Sequence, residues 1–154
     1  MPFRFRLEAV LKHRLWVEEE RRRELAALAG MLRGERRALE GMKGELDANR
    51  GKLRSLLESP EGVPSEEAHL YAQYFLGQSW AIEEKKDLCR RLAVEVERKR
   101  QQLLHASIAR RSLEMMKERL RQRYEKEVLR KEQKISDELG LRQHGEKEKE
   151  AWVQ

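Results

Sequence analysis

The sequence predicts an all-α protein: two long helices folded back on each other as an antiparallel coiled-coil hairpin. Three observations carry this reading: a very high charge content, a single cluster of helix breakers, and apolar residues at seven-residue spacing on both sides of that cluster. Of the 154 residues, 40% are charged and only 3 are proline. A compact globule of this length buries about 70% of its unfolded surface. A chain this charged lacks the apolar side chains for that, and an extended helical architecture needs fewer.

The breaker cluster is the stretch ESPEGVPSEEA, which holds Pro60, Gly62 and Pro64. It reads as a turn over residues 58–65, placing helix one at about 3–57 and helix two at about 66–139. Ser65, followed by Glu66 and Glu67, reads as an N-cap with acidic residues in the first turn, where they complement the helix dipole. Gly140, after Asp137 and Glu138, is placed to stop helix two. Residues 1–140 form one coiled-coil domain on this reading, and 141–154 a flexible polar tail.

Within helix one, Leu11, Leu25, Leu32, Leu39, Leu46 and Leu53 fall on one seven-residue row, broken only by Glu18. Leu7, Leu28, Met42 and Leu56 lie on the companion row, which makes a heptad seam. Helix two repeats the pattern with Phe75, Ile82, Cys89, Val96 and Leu103 on one row and Leu92, Ala106, Leu113 and Leu120 on the other. After Tyr124 the apolar positions shift to Val128, Ile135 and Leu139, a slip that locally unwinds a supercoil. Matching the rows antiparallel places Leu32 opposite Leu92, Leu28 opposite Val96, Met42 opposite Ile82 and Leu11 opposite Leu113. The midpoint of that register is Gly62, inside the turn that the breakers identify independently. The same register sets Arg14 against Arg110, an unfavourable layer expected to splay or snorkel. At 1.5 Å per residue the helices span ~75 and ~110 Å, which leaves residues beyond about Leu120 without a partner.

Composition also narrows function. The net charge of +6 favours acidic partners, and between Arg110 and Lys131 nine residues are basic and four acidic. The N-terminus lacks the apolar run of a secretory signal, and no segment approaches the ~20 apolar residues of a membrane span. A single cysteine, Cys89, excludes an internal disulfide and agrees with a reducing compartment. The expected location is therefore cytoplasmic. His13, His69, His105 and His144 are too scattered for a ligand set, Cys89 sits on the core row, and no phosphate loop or nucleophile elbow occurs. No catalytic, cofactor-binding or metal-binding residue is expected, and the protein is not expected to be an enzyme. What exceeds a plain coiled coil is a second apolar stripe opposite the seam of helix two: Leu76, Trp80, Val94, Leu104, Ile108 and Met115. A stripe left in water by a two-helix coil implies another protein or further copies of this chain.

The segments FRFRLEAVLKHR, YAQYFLGQSWAI and VERKRQQLLHASIARRSLEMMKERLRQRYEKEVLRKEQKISDE resemble the FliJ family of bacterial flagellar export proteins. The resemblance runs from Phe3 to about Leu139. Its most specific part is Arg110, Arg111, Leu113 and Glu114, then Lys117 to Arg119, Tyr124 and the RKEQKISDE segment. It implies a non-enzymatic antiparallel coiled coil, similar to the central stalk of rotary ATPases. Such a protein enters the hexameric export ATPase, contacts the cytoplasmic domain of the export-gate membrane protein and escorts export chaperones. Its location would be cytoplasmic, peripheral to the membrane at the flagellar base, with no insertion into the bilayer. Carried over by position, Tyr71, Tyr74, Phe75, Leu76, Trp80 and Val94 face the gate or the chaperones. Phe3, Arg4, Phe5, Arg6, Arg110, Arg111, Arg119 and Arg123 face the ATPase, with the two phenylalanines in apolar seats and Arg4 and Arg6 on acidic groups. Two other classes fit the residues: a basic coiled coil holding nucleic-acid phosphates, and a homo-oligomeric spacer. Glu114, Glu118, Glu125 and Glu127 interrupt the basic face and count against nucleic acid.

Overall fold

A computed structural model describes the backbone of residues 2–152 and the side chains of residues 2–142. Two helices account for nearly all of it, α1 (Glu8–Glu58) and α2 (Ser65–Trp152), and no strand occurs among the described residues. The all-α, two-helix class is thus present. Three helix ends differ from the sequence expectation, each for a local reason.

Helix one does not begin near residue 3. Residues 2–5 are irregular, the backbone N–H of Glu8 donates to the Phe5 carbonyl at 3.2 Å, and the Leu7 carbonyl accepts the first helical bond from Leu11 at 2.9 Å. Continuing the helix backwards would keep Phe5 off the seam rows; the turn buries it instead, to 9% exposure. The connection between the helices is as short as the breakers predict. The Ser59 hydroxyl donates to the Leu56 carbonyl at 2.7 Å, closing α1, and Gly62 sits at φ 65°, a left-handed conformation that costs a side-chain-bearing residue about 1–2 kcal/mol. Ser65 is not the cap. The Pro64 carbonyl already accepts from the Ala68 N–H at 3.0 Å, so Pro64 holds the cap position and Ser65 is the first helical residue, with Glu66 and Glu67 in the first turn as expected. Gly140 does not stop α2, which continues to Trp152. Its flanks are rich in Glu, Lys, Arg and Leu, and a single glycine costs only about 1 kcal/mol in such a run. The flexible tail expected over 141–154 falls largely outside the described side chains.

The chain divides into two units: residues 17–106, and residues 1–16 with 107–154. In the first unit the helices run antiparallel. Asn49 meets Tyr74, Glu35 meets Lys85 and Glu24 meets Lys99, pairs separated by 25, 50 and 75 residues of chain. The core is a single file of Leu32, Leu39, Leu46, Ile82, Cys89 and Val96, with Leu25, Leu28, Met42, Phe75, Leu92 and Ala93 packed against it. Apart from Ala93, these are the residues that the heptad rows predict. Burying each large member contributes about 1.5–3 kcal/mol. Glu18, which breaks the row in sequence, is 4% exposed and accepts from Arg22 at 3.3 Å. Lys99–Glu24 and Lys85–Glu35, both 2.7 Å, bridge the helices beside the seam, where coiled coils fix partner register. Hydrogen bonds from Lys99 and then Arg21 hold the Glu24 carboxyl below its ordinary range.

In the second unit the helices are again antiparallel. Lys117 pairs with Glu8 at 2.8 Å, and the Phe3 ring lies 5.8 Å from that of Tyr124. Phe5 and Leu11 are buried, and Leu113 is half-buried. Of the predicted arginine layer, Arg14 is exposed, while Arg110 is half-buried with its guanidinium on Glu114. From Leu129 to Arg142 every residue is exposed, Ile135 and Leu139 of the shifted row included.

Candidate functional site

The predicted gate or chaperone surface divides into an inward and an outward part. Phe75 turns inward and packs on the core of residues 17–106. Around it, the Tyr71 ring stacks at 6.1 Å and the Tyr74 ring meets it edge-on at 5.5 Å, while the Arg50 guanidinium carbon lies 6.0 Å from its centroid. The Tyr74 hydroxyl accepts from the Asn49 amide at 2.7 Å. Phe75 and its neighbours therefore form a fixed aromatic platform, with Tyr74 and Tyr71 presenting its edge. Leu70, Tyr71, Tyr74, Asn49 and Glu67 line a shallow groove there. Leu70, 64% exposed, and Asn49 were not singled out from the sequence. Leu70 lies four residues before Tyr74, on its face of α2, which was the available signal.

Outward of this platform, Leu76, Trp80 and Val94 stand in solvent at 66%, 73% and 68% exposure, with Leu104 half-exposed further along. Between Trp80 and Val94 four of the charged residues pair with one another. Lys86 and Arg90 both reach Glu83, and Arg90 also reaches Asp87 at 2.8 Å. The hydrogen bond from Lys86 holds the Glu83 carboxyl below its ordinary range. The stripe is thus apolar at its knobs, with charges of both signs between them, as in an interface with apolar anchors and a polar surround.

The predicted ATPase surface lies in the unit of residues 1–16 and 107–154. The structure brings Phe3 and Phe5 onto this unit rather than leaving them free: Phe5 is buried, and Phe3 is half-buried against Tyr124. The sequence reading that both rings wait to fill seats in another protein has to give way for Phe5, whose seat is already within its own chain. Arg4 and Arg6 flank it and are exposed, as are Arg111, Arg119 and Arg123. Arg110 is the exception, committed to Glu114. Met115, Met116 and Leu120 line a groove with Ser112, Arg119 and Arg123. Met116 was missed from the sequence because it lies beside, not on, the apolar stripe. Its partly exposed thioether beside two arginines makes an apolar floor with a cationic rim. Among the described residues no group of His, Cys, Asp and Glu is arranged to hold a metal.

A family model described as "Flagellar FliJ protein" matches residues 3–149. Searches of curated proteins and of solved structures give no significant match.

Proposed function

The chain belongs to the FliJ family and is a component of the flagellar protein-export apparatus, and from that premise we propose that it is a non-enzymatic coiled-coil stalk. In this role it binds the hexameric export ATPase and the cytoplasmic domain of the export-gate membrane protein, and it escorts export chaperones at the cytoplasmic face of the membrane. The observation that carries the reading is the exposed apolar stripe of Leu76, Trp80 and Val94 beside the aromatic platform of Tyr71, Tyr74 and Phe75. A two-helix protein gains nothing by itself from the exposed Leu76, Trp80 and Val94, whereas exposed aromatic and aliphatic anchors are what binding hot spots are made of.

Arg4, Arg6, Arg111, Arg119 and Arg123 are the ATPase-facing cations, with Arg110 braced on Glu114 among them. Phe3 and Phe5 hold Arg4 and Arg6 in place from below. The test is a titration of the chain onto the purified cytoplasmic domain of the export gate and, separately, into an assay of the export ATPase. Trp80→Ser with Val94→Ser should weaken gate or chaperone binding more than tenfold and leave ATPase stimulation intact. Arg4→Glu with Arg6→Glu should do the reverse. Unchanged binding in the first variant and unchanged stimulation in the second would overturn the assignment of the two surfaces.

A further inference from the structure

Several of the chain's arginines and lysines are neutralised locally. Arg21, Arg22, Arg23, Lys43, Lys86, Arg90, Arg98, Arg100 and Arg121 each pair with a carboxylate three or four residues away. One face of the distal part of α2 gathers cations that have no such partner. Arg119, Arg123, Lys126, Arg130 and Lys134 recur at spacings of four, three, four and four, which places all five on one stripe about 22 Å long. All are exposed, and none forms an ion pair among the described residues. Lys126, Arg130 and Lys134 stand at successive four-residue steps, where like charges repel by a few tenths of a kcal/mol per pair. Most acids of this segment lie away from the stripe: Glu114, Glu118, Glu125 and Glu132 fall on the opposite face, where Arg110 and Arg121 take two of them. Glu127 borders the stripe, and Asp137 lies on its line one turn beyond Lys134; neither pairs to it.

We propose that this stripe rests on anionic phospholipid headgroups, with Lys126, Arg130 and Lys134 as the cations that serve this contact alone. From Arg123 to Lys134 the stripe carries no apolar side chain. It therefore lacks the knobs that packing against another helix requires, and its attraction is electrostatic. A straight line of cations meets a flat charged surface along its whole length. Duplex phosphates wind away from such a line, so fewer of them can be reached at once. No helix among the described residues is long and apolar enough to cross a membrane, so the contact is adsorption to the surface. At its near end the stripe adjoins Met115 and Met116, 57% and 46% exposed, which can sink into the headgroup boundary.

The experiment is co-sedimentation of the full chain with vesicles of about 30% phosphatidylglycerol in phosphatidylcholine, at low salt. A cation near such a surface contributes about a fivefold gain in partitioning. Lys126→Gln, Arg130→Gln and Lys134→Gln together should therefore lower it about a hundredfold, with helicity by circular dichroism unchanged. The charge-conserving set Lys126→Arg, Arg130→Lys and Lys134→Arg should retain it, and Glu127→Gln should raise it. Neutral vesicles, or salt near 1 M, where the screening length falls to about 3 Å, should release the wild-type chain. Equal sedimentation of the triple Gln variant, or equal binding to neutral vesicles, overturns the proposal. So does tighter capture by a short DNA duplex at the same salt that the same three substitutions abolish, since the stripe is then a nucleic-acid surface.

Discussion

Truncating Leu32 and Trp80 to alanine separately distinguishes the protein's own core from the face it offers to others. Leu32 is 6% exposed and sits in the single-file core with Leu39, Val96 and Leu92, so truncation removes nearly its full burial and leaves a gap. Leu→Ala in a core costs 2–5 kcal/mol, the larger values arising where the cavity cannot collapse. A two-helix seam has solvent on both flanks and can close part of the gap, which argues for about 3 kcal/mol. For a chain of this size that is a fall in Tm of roughly 6–12 °C. Trp80 is 73% exposed, and its truncation should move stability by no more than about 0.5 kcal/mol. The assay is thermal unfolding followed by circular dichroism at 222 nm, at two protein concentrations. A loss at Trp80 comparable to that at Leu32, growing weaker as the chain is diluted, would show that the stripe is buried between copies of this protein. The assignment of that face to a different partner would then be wrong.

Cysteines placed at Leu32 and Leu92 in a Cys89→Ser background should crosslink within one chain, and an exclusively intermolecular product on a gel would refute the hairpin register. Acidification should loosen the helix pair. The Glu24 and Glu83 carboxyls lie below their ordinary value of 4.5 because Lys99 and Lys86 hydrogen-bond to the charged forms. Their contribution is full above that value and lost as pH falls through the lowered folded-state values, so Tm should be flat from pH 7 to 5 and decline below about 4.5. Glu24→Gln should flatten part of that decline, and an unchanged acid limb would show that the cross-helix pair contributes nothing. Phe5→Ala should release residues 2–7 from α2, read as faster amide hydrogen exchange at Lys117–Tyr124; unaltered exchange there would mean that the N-terminal turn does not brace α2.

Leu39, Leu46, Ile82, Cys89 and Val96 were legible as core because burial in a coiled coil depends on spacing alone, and spacing is a property of the sequence. Gly62 was legible as the turn because two independent signals, the breakers and the register, meet there. The N-terminal turn was not. A periodic reading carries the helix back from Leu7 to Phe3, whereas the chain leaves the helix to seat Phe5, a tertiary gain that period cannot register. Gly140 misled for the opposite reason: a glycine stops a helix only where the residues beyond it form a cap, and here Leu141 and Arg142 continue the helix instead. Of the candidate site, the exposure of Trp80 and Val94 followed from the seam by geometry. The inward turn of Phe75 also followed from its row, yet it was grouped with the outward residues because its aromatic neighbours drew it there. Which arginines are neutralised was readable only in part. Arg121 has Glu125 one turn on and pairs with it, but Arg123 has Glu127 at the same spacing and does not.

The placement of Gly62 between the two halves of the core also orders events in time. Within residues 17–106, the Asn49–Tyr74 contact near the turn closes a loop of 25 residues, and the Glu24–Lys99 contact farther out closes one of 75. Closing the larger loop first costs about 1 kcal/mol more in chain entropy than closing the smaller. Zippering outward from the turn avoids that cost, because each new layer joins ends already held close. The Leu39 and Leu46 rows of α1 must nonetheless wait, during synthesis, for Ile82 and Cys89 to be made. Until then α1 is an amphipathic helix with a bare apolar face, competent to pair with the same face of another nascent chain. A substitution at Gly62 that strains the turn would lengthen that interval, and its first symptom should be intertwined dimers rather than a lowered melting temperature.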